Sequence, residues 1–74
     1  SSPKIYNSLL DNKSELVREF QNNDIQQIAQ KVSDYARTEP LEFVAEVYKG
    51  VQRGHTYNND IMALYKKYDG PALS

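Results

Sequence analysis

The sequence predicts an all-α fold, a small bundle of four to five short helices. Three observations lead there. Apolar residues recur at helical spacing, most clearly in Ile25, Ile28, Ala29, Val32 and Ala36, which fall at i, i+3, i+4, i+7 and i+11. No segment alternates apolar and polar residues for long enough to make a strand. Capping and breaking residues separate the periodic segments.

Ser2-Pro3 reads as a helix start, a capping hydroxyl followed by proline at the first helical position. Ile5, Tyr6, Leu9 and Leu10 follow at helical spacing, and Asp11-Asn12 breaks this first element. Asn12 or Ser14 can cap the next helix, whose narrow apolar stripe is Leu16, Val17 and Phe20. Asn22-Asn23-Asp24 is a second break and cap, opening the helix that carries Ile25 to Ala36. Arg37-Thr38-Glu39-Pro40 ends it, because the residue before proline disfavours helical geometry. Thr38 is the expected cap of a fourth helix running to about Arg53, with Leu41, Val44, Ala45, Tyr48 and Val51 on its buried side. Glu39 and Glu42 sit near its positive end. Gly54 is placed for a left-handed C-terminal cap. After His55-Thr56-Tyr57, Asn58 or Asn59 caps a last helix with the stripe Ile61, Leu64, Tyr65 and Tyr68, stopped by Gly70-Pro71.

With 74 residues the chain is a single small helical domain or a fragment of one, its N-terminal helices in residues 1–36 and a second half in residues 38–72. A domain this short buries only about 60% of the surface its unfolded chain exposes, so its margin of stability is thin. The absence of cysteine removes disulfides and thiolate metal sites as supports, leaving a partner or a larger parent chain. Ser1-Ser2-Pro3 shows neither an initiator Met nor a signal-peptide pattern, which suggests trimming or excision and a fragment. The balance of 9 Lys+Arg against 10 Asp+Glu argues against a nucleic-acid surface, and the only adjacent basic pair is Lys66-Lys67. The longest apolar run, Ile61 to Leu64, is far too short to span a membrane.

Few residues are equipped for chemistry. His55 is the single histidine, and its place after a glycine in a short turn reads as solvated. The helical zinc motif His-Glu-x-x-His, which projects two imidazoles from one face, is absent. The three glycines are scattered and make no phosphate loop. Glu42 and Glu46 are four apart and share one helix face. On spacing alone, residues 42, 46, 49 and 53 form a solvated charged row in which Glu46 can pair with Lys49. Of the six tyrosines, Tyr48, Tyr65 and Tyr68 lie on apolar stripes, with their hydroxyls expected to reach water.

The string from Tyr35 to Tyr48, YARTEPLEFVAEVY, resembles a pattern found in zincin-type metallopeptidase domains related to anthrax lethal factor, and in similar phage-encoded domains. That pattern runs Tyr-Ala-x-Thr-x-x-x-Glu-Phe-hydrophobic-Ala-Glu-hydrophobic-aromatic. The resemblance implies that Glu42 is the third zinc ligand of such a site. It implies that Glu46 is a carboxylate orienting a ligand histidine. It implies that Tyr35 donates a hydrogen bond to the developing oxyanion. The downstream stretch Gly54 to Pro71 looks like the tail that follows this motif in proteins of Gram-positive phages and prophages, some of them minor head or head-morphogenesis proteins. The resemblance covers residues 33–72, about half of the chain. The two ligand histidines and the general-base glutamate have no counterpart, so no cofactor is expected on the isolated chain, and zinc only if upstream ligands exist.

Three functional readings follow. In the first, the chain is the third-ligand part of a phage-type zincin domain, inactive by itself, with Tyr35, Glu42 and Glu46 clustered on one exposed concave face. In the second, it is a non-catalytic module packing against the rest of its parent protein or another chain, such as a head or portal component. That reading expects an exposed apolar patch of Leu41, Val44, Tyr48 and Tyr65. The third, a helix-turn-helix binding nucleic acid, is the weakest, since its candidate recognition helices carry Glu42 and Glu46, or Gln26, Gln27 and only Lys31. No membrane association is expected, and the location implied is bacterial cytoplasm or virion.

Overall fold

The computed structural model describes residues 15–73, so the expected helix start at Ser2-Pro3, the first apolar stripe and the Asn12 or Ser14 cap lie outside the described residues. The fold is all-α, with no strand among those residues. Helix α1 covers residues 15–20, α2 runs Asn23–Gln30, α3 Pro40–Gln52 and α4 Asn59–Lys67. A 3-10 turn, Tyr35–Arg37, connects α2 to α3 and packs against α3. None of these helices is long and apolar enough to cross a membrane.

One core joins the elements: Phe20, Ala29, Ala36, Phe43, Val47, Ile61, Leu64 and Tyr65, with Val44 at its edge. Phe20, Phe43 and Val47 are its largest fully buried side chains. The Phe20 ring meets Phe43 edge-on at 6.3 Å and Tyr68 at 5.7 Å, tying α1 to α3 and to the end of α4. Gln26 adds a polar stitch. Its Nε2 donates to the carbonyls of Phe20 (2.8 Å) and Arg37 (3.1 Å), and its Oε1 accepts from Arg37 Nε (3.3 Å). Ion pairs Lys31–Asp60 and Lys67–Glu19 link the helices at the surface, where such pairs contribute little.

Several local expectations hold. Asn22 caps α2, its Oδ1 accepting from the amides of Asp24 and Ile25. Gly54 takes φ +90° after α3, its amide donating to Val51 O while that of His55 donates to Gly50 O. That pair of bonds is a Schellman closure, which requires the left-handed residue a glycine supplies without strain. The stripe of α4 faces inward as predicted, with Ile61, Leu64 and Tyr65 buried and Tyr68 half-buried.

Three expectations are corrected. The helix from Ile25 does not reach Ala36 but ends at Gln30, and Ala36 enters the core from the 3-10 turn. Thr38 is not the cap of α3. Glu39 holds that position in extended conformation, without a capping side-chain bond, while Thr38 Oγ1 donates to Tyr35 O (2.8 Å). The largest correction concerns α3. Phe43, Val44, Val47 and Gly50 are its buried residues, whereas Leu41 is 72% exposed, Tyr48 39%, and Ala45 is also exposed. The buried face is turned by roughly 100°, one residue's rotation, from the expected one. The helix has apolar residues on both faces, and the contact of Phe43 with Phe20 decides between them.

Gly50 matters for a different reason than Gly54. It is helical, and a Cβ there would collide with the Tyr57 ring, which lies across the helix at that point. The assignment of faces on α3 makes a direct prediction. Phe43→Ala should cost about 3–5 kcal/mol, close to the whole stability of a small domain, and should abolish cooperative thermal unfolding by circular dichroism. Leu41→Ala should change stability by no more than about 0.5 kcal/mol. Comparable losses at the two positions would show the face assignment to be wrong.

Candidate functional site

Helix α3 presents three faces. Phe43 and Val47 point to the core, residues 42, 46, 49 and 53 form the charged row, and Leu41, Val44, Ala45 and Tyr48 line a groove.

The charged row holds Glu42 and Glu46, two of the three residues singled out by resemblance. Tyr35 stands on the 3-10 turn with its side chain largely in solvent, 63% exposed. Glu42 lies half-buried in the first turn of α3. Glu46, one turn on, is committed on both oxygens. Oε1 accepts from Ser33 Oγ at 3.0 Å, and Oε2 takes the Lys49 ammonium at 2.9 Å. Ser33 Oγ in turn accepts the Ala36 amide (3.0 Å), so Glu46 braces the turn that carries Tyr35. The Lys49 hydrogen bond, then the Ser33 hydroxyl, hold the Glu46 carboxyl below the usual glutamate range. The expected Glu46–Lys49 pair is thus present, and Ser33 is a partner that only the fold reveals.

A small polar cavity of about 180 Å³ opens beside this row, lined by Val32, Glu46, Lys49, Gly50, Arg53, His55 and Tyr57. His55 is exposed, as its turn position implied, and stacks on Tyr57 at 6.4 Å. Among the described residues no group of three or more His, Cys, Asp or Glu side chains is placed to hold a metal ion. A catalytic zinc needs three protein ligands and an open position. The chain's only histidine lies in the turn after α3, and Glu46 already serves Ser33 and Lys49, so these residues do not fit a zinc site.

A larger concavity lies on the other side of α3. It is an apolar groove of about 1060 Å³, walled by Leu16 and Val17 of α1, by Pro40, Leu41, Val44, Ala45 and Tyr48 of α3, and by Tyr68 and Pro71. Leu16 and Val17 are 39% and 42% exposed. Glu39, Lys49, Gln52 and Asp69 complete the lining. The expected exposed patch of Leu41, Val44, Tyr48 and Tyr65 is therefore right in Leu41 and Tyr48 and wrong in Val44, which is buried at the edge of the core, and in Tyr65. That residue is 4% exposed, with its hydroxyl donating to Pro71 O and its pKa raised by burial. The sequence signal for the groove is the second apolar face of α3. Tyr68 was expected to reach water. Its hydroxyl is instead buried, with no hydrogen-bond partner among the described residues, and burial raises its pKa.

Two measurements check this description. Because the folded-state pKa of Glu46 is depressed, its contribution to stability is complete above the ordinary glutamate value, about 4.3, and is lost as pH falls through the lower folded value. Wild type should therefore melt above Glu46→Gln at pH 7 and converge toward it under acid. Parallel melting curves from pH 7 down to about 3 would rule the brace out. In calorimetric titration, Zn²⁺ should show no saturable binding in the micromolar range, and tight binding lost in Glu42→Ala would reverse that conclusion. Comparison with protein-family models, with curated proteins and with solved structures finds no match to this chain.

Proposed function

We propose that this chain is a non-catalytic helical interaction module, associated with phage or prophage proteins of Gram-positive bacteria, that seats an amphipathic helix of another protein chain in its apolar groove. The groove between α1 and α3 is the observation that carries the reading. Its exposed side chains, Leu16, Val17, Leu41 and Tyr48, are the kind a helix-in-groove contact buries. Tyrosine is also among the residues that dominate binding when desolvated. Charged and polar groups at Glu39, Lys49, Gln52 and Asp69 supply the polar component that orients a partner. The near-neutral charge balance favours a protein partner over nucleic acid.

The phage association rests on the resemblance of residues 33–72 to zincin-type domains and the tail that follows them. On that reading Tyr35, Glu42 and Glu46 are the remaining side of a metallopeptidase site, and the chain turns over no substrate by itself. The commitment of both Glu46 oxygens to Ser33 and Lys49 supports a structural use of this carboxylate. Bacterial cytoplasm or virion is the location this lineage implies.

Display selection of random helical peptides against the folded chain should enrich sequences with apolar residues at i, i+3, i+4 and i+7. Leu41→Lys should abolish their binding while leaving the far-ultraviolet circular dichroism unchanged, since Leu41 is 72% exposed. Enrichment of no such pattern, or binding that survives Leu41→Lys, would refute the proposal.

A further inference from the structure

Helix α3 carries both a wall of the groove and a stripe fit to enter one. Leu41, Ala45 and Tyr48 are exposed along it, and Val44 lies beside them in the groove lining. These four fall at i, i+3, i+4 and i+7, so they form one stripe on the helix. That is the pattern a helix-in-groove contact recognises. The chain therefore displays a groove and a ligand of the matching kind, and the two share residues.

The spacing of the stripe reads the same in both directions. Two copies of α3 can meet antiparallel across a twofold axis between residues 44 and 45. Leu41 of each copy then comes opposite Tyr48 of the other, and Val44 opposite Ala45. The small Ala45 at the crossing lets the helix axes approach closely. Leu41 of one copy gains the apolar wall that Leu16 and Val17 form on the other.

Charge selects the antiparallel arrangement. Glu39 precedes the stripe, Lys49 follows it, and both belong to the groove lining. Antiparallel packing brings Lys49 of each copy to Glu39 of the other. Parallel packing would set Glu39 against Glu39 and Lys49 against Lys49, a costly juxtaposition. Lys49 already holds Glu46 Oε2 at 2.9 Å, but an ammonium has three donors, so two remain. Glu39 makes no capping side-chain bond in its own chain. A chain of 74 residues without cysteine also gains from association, a common support for domains of this size.

Resting on the reading of the groove as a docking site, we propose that its occupant is a second copy of this chain. The assembly is an antiparallel α3–α3 dimer in which Leu41 of each copy enters the groove of the other and Glu39–Lys49 ion pairs close both ends.

Sedimentation equilibrium on the full chain, from about 1 μM to 1 mM, should show a mass that rises to that of a dimer and no further, because a twofold interface closes on itself. Leu41→Lys should weaken association roughly thirtyfold or more, the loss expected of a central anchor. Glu39→Lys and Lys49→Glu should each weaken it by about three- to tenfold. An equimolar mixture of those two variants should associate more tightly than either alone, since every facing pair is again opposite in charge. Circular dichroism checks that each variant is folded. A chain that stays monomeric over this range overturns the proposal. So does a mass that grows past the dimer, a dimer indifferent to Leu41→Lys, or a mixture no tighter than its components. After any of these, displayed helical peptides that bind in a Leu41-dependent way leave the docking reading standing, and loss of that binding brings it down too.

Discussion

The arrangement depends on how Phe20 is held. Its ring is completely buried and touches Phe43 and Tyr68 edge-on, so one side chain joins α1, α3 and the end of α4. Aromatic pairs of this geometry add about 0.5–1.5 kcal/mol beyond the area they bury. In a chain of 74 residues without cysteine that is a large share of the available stability. The contact also orients α3. With Phe43 drawn toward Phe20, Val47 follows it inward one turn later, and Leu41, Ala45 and Tyr48 are left facing out. The groove is thus a by-product of the core.

Elements with a single apolar stripe were legible in the sequence. Helix α4 is one: Asn59, Asp60, Lys66 and Lys67 are polar, and the bulky apolar residues Ile61, Leu64, Tyr65 and Tyr68 recur at helical spacing. The Asn22 cap and the Gly54 turn were legible too, because each is set by local backbone chemistry. Helix α3 was not, because LEFVAEVYKGV is apolar around most of its circumference and periodicity gives no unique face. The helix drawn through Ala36 failed for a related reason. Ala29 and Ala36 both belong in the core, but the chain brings the second there through a 3-10 turn. That turn is held by Gln26 on Arg37 and by Glu46 on Ser33, through contacts 11 and 13 residues apart, which no local pattern encodes.

The same long-range contacts explain why the charged row reads differently in three dimensions. Spacing places Glu42 and Glu46 together on one face, and resemblance gives them distinct roles. In the fold they differ by their partners. Glu46 is hydrogen-bonded at both oxygens to groups of this chain, while Glu42 sits half-buried in the first turn, where the helix dipole favours a carboxylate. Glu46 uses one acceptor site of each oxygen on Ser33 and Lys49, and the Ser33 bond fixes the angle between the 3-10 turn and α3.

That fixed angle bears on the opposite side of the helix. Glu46 and Ser33 brace α3 from the charged row, and Phe43 anchors it from the core, so the third face is held rigidly without any contact of its own. A rigid scaffold beneath exposed apolar side chains is what recognition requires, since little ordering cost remains to be met on binding. Leu41 makes the point most directly. At 72% exposure it adds almost nothing to the stability of the fold, and a leucine offers water no hydrogen bond. Together with Leu16, Val17 and Tyr48 it forms a contiguous apolar surface on a small domain whose core is already closed. That surface is the second apolar face of α3, left outside once Phe43 and Val47 enter the core.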